Sequence, residues 1–117
     1  MPGIVFHSTQ KLDDLKTFYN DLGATIWVDQ GDCIILNFNN FLLGFCQRDQ
    51  PAETCGMLTL FYRTKEEVDA VYDKVKDCAT GPPKENTKYN IYQFFAKDPE
   101  GRTLEFQVFL HAINWDW

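Results

Sequence analysis

The chain has 117 residues, 44% of them hydrophobic and including ten Phe, five Tyr and three Trp; that supplies one compact core but leaves no room for separate enzyme and cofactor domains. A net charge of -6, with eleven Lys and Arg that form no cluster, excludes a phosphate-backbone partner, so no nucleic acid is expected. No apolar run reaches the length of a membrane span, and "MPGIVFHST" lacks a basic segment followed by a signal-length apolar stretch, which points to a cytoplasmic protein with no membrane contact.

"GIVFHST" has the β-branched and aromatic content of a strand, and "LDDLKTFYNDLG" repeats Leu12, Leu15, Phe18, Tyr19 and Leu22 at helical spacing before Gly23 ends it. Three strand-like runs follow, "ATIWVDQ", "DCIILNF" and "FLLGFCQ", separated by turn signals at Gln30-Gly31-Asp32 and Asn39-Asn40. After the polar connector "RDQPAET" the order repeats. "MLTLFYR" is a strand, and "TKEEVDAVYDKVK" is a helix with Thr64 and Glu67 as a capping box and Val68, Val71, Tyr72 and Val75 on one face. "KDCATGPPKENTK" holds at most a short edge strand interrupted at Gly81-Pro82-Pro83, and "YNIYQFFAK" and "RTLEFQVFL" form a hairpin around Asp98-Pro99-Glu100-Gly101.

The expected fold class is therefore α+β, two βαβββ modules in a curved, partly closed mixed sheet with helices outside. Helix positions Leu12, Leu15 and Tyr19 match Val68, Val71 and Val75 at an offset of 56 residues. Residues 1–117 are read as one domain built from modules 3–48 and 56–109, with an aromatic tail at 110–117.

Asn39-Asn40 suits a two-residue type I′ turn, since Asn tolerates positive φ. With Phe38 opposite Phe41, facing residue numbers sum to 79, which sets Gly44 opposite Ile35 and Cys33 opposite Cys46 at a non-hydrogen-bonded pair, with Cα atoms about 4.5 Å apart. Cys33, Cys46, Cys55 and Cys78 have no C-x-x-C spacing, so zinc and dithiol redox sites are unsupported. In a reducing compartment, two adjacent free thiols are the expectation at Cys33 and Cys46, and a disulfide is the alternative.

The duplicated βαβββ pattern, with "FYNDLG", "EEVDAVYDKV" and "DPEGRTLEF", resembles the vicinal oxygen chelate superfamily of glyoxalases, bleomycin-resistance proteins and extradiol dioxygenases, over residues 3–109. The resemblance implies a groove for a small molecule and, in metal-binding members, four inward His or Glu ligands. At the matching positions this chain has Glu105, but Gly44 and Met57 at two others, and Ile4 where an ungapped count on the first strand falls; His7 is three residues further on, with opposite strand parity. No cofactor is the expectation. A divalent metal held by His7 and Glu105, serving a lyase, isomerase or dioxygenase, is the alternative.

Glu105 lies between Leu104 and Phe106 and so points to the face opposite them. In a desolvated groove it is the candidate catalytic base, or an ionised anchor for a cationic or hydroxyl-bearing ligand. Gln107 shares its parity, Gln93 is placed on the neighbouring strand, and Met57 and Phe6 are the candidate apolar contacts. His111, Trp115 and Trp117 lie in the tail, which is expected to fold over the groove, cross to a partner or fray. The leading function is metal-independent small-molecule binding in a homodimer; a groove filled by the chain's own aromatics is the third reading.

Overall fold

A computed structural model describes residues 2–39 and 41–115. The elements form in the expected order: β1 (Ile4–Thr9), α1 (Leu12–Asp21), β2 (Thr25–Asp29), β3 (Cys33–Asn37), β4 (Leu42–Gln47), β5 (Met57–Tyr62), α2 (Lys65–Val75), β6 (Lys84–Asn86), β7 (Ile91–Lys97) and β8 (Thr103–Phe109). They make two four-stranded sheets ordered β1-β4-β3-β2 and β5-β8-β7-β6. The outer pairs β1–β4 and β5–β8 are parallel and the remainder antiparallel, so each sheet is mixed and open at both edges. Among the described residues no helix is long and apolar enough to cross a membrane.

Contacts divide the chain into two compact units, Met1–Thr54 with Pro99–Gly101, and Cys55–Asp98 with Arg102–Trp117. In the first, Leu12, Leu15 and Tyr19 are buried on one side of α1, and the Tyr19 ring stacks on Phe45 of β4 at 5.5 Å between centroids. Strand alternation puts Leu43, beside Phe45 on β4, and Ile34 and Leu36 on β3 on that same face. α1 has no side-chain cap at Lys11; Gln47 Oε1 accepts from Leu12 N at 3.0 Å and Thr9 Oγ1 from Lys11 N at 2.9 Å, so strand ends supply what the helix lacks.

In the second unit, Val68 and Val75 are buried on α2, while Tyr72 meets Phe94 edge-on at 5.3 Å and Phe94 stacks on Phe106 at 4.9 Å. The capping box forms: Thr64 Oγ1 accepts from Glu67 N at 3.1 Å, and the Glu67 carboxylate reaches back to Arg63 N at 3.2 Å, one residue before the cap. The segment before β7 is broken as Gly81-Pro82-Pro83 implies, with an isolated bridge from Ala79 to Ala96 and then the three-residue edge strand β6.

The β7–β8 turn is pinned at its base. Arg102 N donates to Asp98 Oδ1 at 3.0 Å, Asp98 N donates to Arg102 O at 3.1 Å, and the two buried side chains form an ion pair at 3.3 Å, while Gly101 takes φ +86. The tip, Pro99–Gly101, belongs to the first unit, where the Glu100 carboxylate accepts from Thr9 Oγ1 and, at 3.0 Å, from Gln10 N.

The β3–β4 hairpin takes the expected register, Phe38 N donating to Phe41 O at 2.9 Å, Cys33 facing Cys46 and Ile35 facing Gly44. Asn39 has φ +74, while Asn40, the other half of the type I′ assignment, lies outside the described residues. The expectation of free thiols at Cys33 and Cys46 is corrected: they form a disulfide across Cα atoms 4.0 Å apart. That expectation came from the compartment; the close approach of a non-hydrogen-bonded pair outweighs it. On the same face, the Phe6 ring of β1 lies over Gly44, where an added Cβ would come within 2.3 Å of it. The space that a side chain would take at Gly44 is filled from the adjacent strand.

Denatured, unreduced protein should therefore titrate two thiols, Cys55 and Cys78, with a thiol reagent, and four after reduction. Reduction should lower stability by about 3 kcal/mol, the usual entropic value for a loop of this size. Gly44→Ala should cost about 1 kcal/mol in urea denaturation, because the half-exposed Phe6 ring has to swing off, and should cost almost nothing in a Phe6→Ala background.

Candidate functional site

In the second unit, α2 covers the face carrying Leu104 and Phe106, so alternation sends Glu105, Gln107 and Phe109 of β8 to the other face. Register places Met57, Thr59 and Phe61 of β5 on one side of them, facing Thr103, Glu105 and Gln107 in turn. Gln93 of β7 faces Gln107 on the other side. The sequence-predicted Glu105, Gln107, Gln93 and Met57 thus share one sheet face.

Glu105 is buried, with 7% of its surface exposed. Thr59 Oγ1 donates to its Oε1 at 2.8 Å, and Gln93 Nε2 donates to its Oε2. Gln93 in turn accepts from Asn86 Nδ2 at 2.9 Å, so a chain of side-chain bonds crosses from the edge strand β6 to the carboxylate. Gln107, 8% exposed, has an Oε1 atom buried without a hydrogen-bond partner. The face therefore offers a carboxylate and an orphaned carbonyl oxygen, both acceptors.

The apolar side of this face is aromatic. Phe61, beside Gln107 in register, lies 5.8 Å from Phe109 and carries Trp115 stacked on it at 5.8 Å, with the Arg63 guanidinium 4.7 Å from the indole centroid. The tail thus returns to its own sheet through Trp115; Trp117 lies outside the described residues. His111 packs edge-on to Phe109 at 5.6 Å.

Other acid, base or nucleophile candidates are poorly placed. Burial, then the nearby Glu67 charge, pushes the Tyr62 phenol up to about 12, and donation to Asp69 at 2.7 Å holds Tyr92 at about 12. Burial also raises the Cys78 thiol, keeping it protonated.

The other two predicted residues lie in the first unit. Phe6 is bound up with Gly44, as described. His7 pairs with Phe45 and shares its helix-facing side, its ring 6.2 Å from Phe45 and its Nδ1 buried without a partner. Phe6 and Gly44 hold the register positions that Thr59 and Glu105 hold in the second module. A divalent-ion centre does not fit these donors: one position is a glycine under a phenyl ring, its partner an aromatic, the third a hydroxyl already bonded to the fourth, and His7 is on the wrong face. Among the described residues no three His, Cys, Asp or Glu gather in a metal-binding group.

Sequence reasoning missed Thr59 and Asn86. Met57, read at the ligand-matching position of the fifth strand, faces Thr103, and Thr59 faces Glu105, since no tight turn fixes the register of a parallel pair. Asn86 stands on a strand too short to carry a pattern.

No protein-family model matches the sequence and no curated protein is significantly similar to it. Solved structures do match. A glyoxalase/bleomycin resistance protein/dioxygenase family enzyme from Burkholderia phytofirmans PsJN aligns at TM-score 0.79 and 18% identity, covering 90% of this chain and 95% of that one. A glyoxalase/bleomycin resistance protein/dioxygenase from Nocardioides aligns at TM-score 0.77 and 15% identity over 100% and 88%, and hypothetical protein SA1046 from S. aureus at 0.76 and 21% over 92% and 96%. With two βαβββ modules in the same arrangement of elements, the chain has the fold of the glyoxalase/bleomycin resistance/dioxygenase proteins.

Proposed function

We propose that the protein binds a small molecule on the face of the β5–β8 sheet turned away from α2, without a metal ion, through Glu105 and Gln107. The observation that carries this is the pairing of a buried carboxylate with a buried carbonyl oxygen that has no protein partner. Leaving such an acceptor unmade costs about 1–3 kcal/mol, which a ligand donor would recover. Thr59 and Gln93 orient the Glu105 carboxylate, and Met57, more than half exposed, supplies an adaptable apolar contact. Any proton abstraction from the ligand would use this same carboxylate.

Glu105→Gln should keep the fold by circular dichroism and weaken ligand binding about ten- to a hundredfold, the value of a charge-assisted hydrogen bond. Undiminished binding by the variant would remove Glu105 from the site. Protein purified without a histidine tag should carry far less than one equivalent of transition metal, and a chelator should leave its melting temperature unchanged, whereas a bound ligand should raise it. Near-stoichiometric metal with chelator-induced destabilisation would favour the lyase, isomerase or dioxygenase reading instead.

The assembly we propose is a homodimer. Edge strand β1 exposes Ile4, Val5 and Phe6, and edge strand β5 exposes Met57 and Phe61. Sedimentation at micromolar concentration should give twice the 13.6 kDa chain mass, and a monomer alone would exclude it.

A further inference from the structure

We infer that the place Trp115 occupies on Phe61 is a subsite for a planar aromatic ring, and that the ligand carries on that ring a cationic hydrogen-bond donor directed to Gln107 and Glu105. This rests on the binding face proposed above and adds the ligand's chemical class. Trp115 stacks on Phe61 at 5.8 Å, with the Arg63 guanidinium 4.7 Å from its ring centroid. Residues 112–115 form no regular structure, so the indole sits on Phe61 as a tethered guest sits on a host. An aromatic ring able to replace it would keep the same stacking on Phe61.

The polar end follows from register. Gln107 is the cross-strand neighbour of Phe61, about 4.8 Å away between strands, and Glu105 and Thr59 are one same-face step, on the order of 7 Å, further along. A ring on Phe61 therefore has its substituent beside the unpartnered Gln107 Oε1 and pointing to the carboxylate. The carboxylate and the Oε1 atom both accept, so a substituent that donates satisfies both, and the Glu105 charge favours a cation. Arg63 follows the end of β5, two residues beyond Phe61 and away from Thr59, so the site has a sign at each end: acceptors at one, a guanidinium at the other.

Benzamidinium and benzoate test this, since they share a ring and differ in the sign and donor character of the substituent. By calorimetric titration, benzamidinium should bind at least about tenfold more tightly than benzoate. Gln107→Leu should weaken benzamidinium by a similar factor, and Trp115→Ala should strengthen it several-fold by removing the competing indole. Trp115→Phe, which keeps an aromatic guest, should fall between. Benzoate binding as well as benzamidinium would mean that Arg63 leads recognition and would overturn the orientation. Benzamidinium binding that depends on Glu105 but ignores Trp115→Ala would overturn the aromatic subsite while leaving the binding face intact. No benzamidinium binding by either wild type or Trp115→Ala would overturn the ligand class, and a library compound whose binding still required Glu105 would then keep the broader proposal standing.

Discussion

Each four-stranded sheet has one helix, and one helix can close only one face. That constraint divides every strand into two populations. Alternate residues are committed to the helix: Phe45 to Tyr19 in the first module, Phe94 to Tyr72 in the second. The intervening residues are released from that packing and free to carry other chemistry. Duplication supplies two such faces, and the modules have used them differently. Where the first pairs Phe6 with Gly44, a ring filling the space of a missing side chain, the second pairs Thr59 with Glu105, a hydroxyl orienting a carboxylate. The same position has become a plug in one module and a polar site in the other.

The acidic turn shows how a short motif serves both ends of its hairpin. Asp98 closes the base through Arg102, and burial of both charges makes the pair intolerant of losing either partner, since the one left behind would be an uncompensated ion. Gly101 supplies the positive φ that lets the chain reverse. Glu100 then meets the donors of Thr9 and Gln10. Glu105, four residues past Gly101, takes its facing direction from the strand that this turn starts.

Much of this was legible in the sequence because it depends on local chemistry. The helix faces follow from the spacing of Leu12, Leu15 and Tyr19 and of Val68 and Val75, and the β3–β4 register follows from one two-residue turn. The parity of Glu105 needed only its neighbours Leu104 and Phe106. What escaped was nonlocal. The β5–β8 pairing joins strands more than forty residues apart, with α2 and two further strands between, so nothing in the sequence counts its register, and Thr59 was passed over for Met57. The disulfide is different in kind: the β3–β4 register already brings Cys33 and Cys46 face to face, but whether the two thiols are joined is a matter of redox chemistry that the register does not carry.

Burial gives the second face its selectivity. A carboxylate in water is indifferent to which donor approaches, because solvent satisfies it either way. Glu105 is withdrawn from solvent and already accepts from Thr59 and Gln93, so its two bonds are fixed in direction and its remaining lone pairs are presented in a narrow range of angles. Gln107 adds an acceptor that no protein group satisfies. A ligand bringing a second acceptor against the carboxylate and Gln107 Oε1 would pay desolvation on both sides without satisfying either, whereas one bringing a donor completes a network that the fold leaves one bond short. Discrimination here comes from what the site lacks, and the aromatic surface of Phe61 beside it sets the shape of the group that can deliver the missing donor.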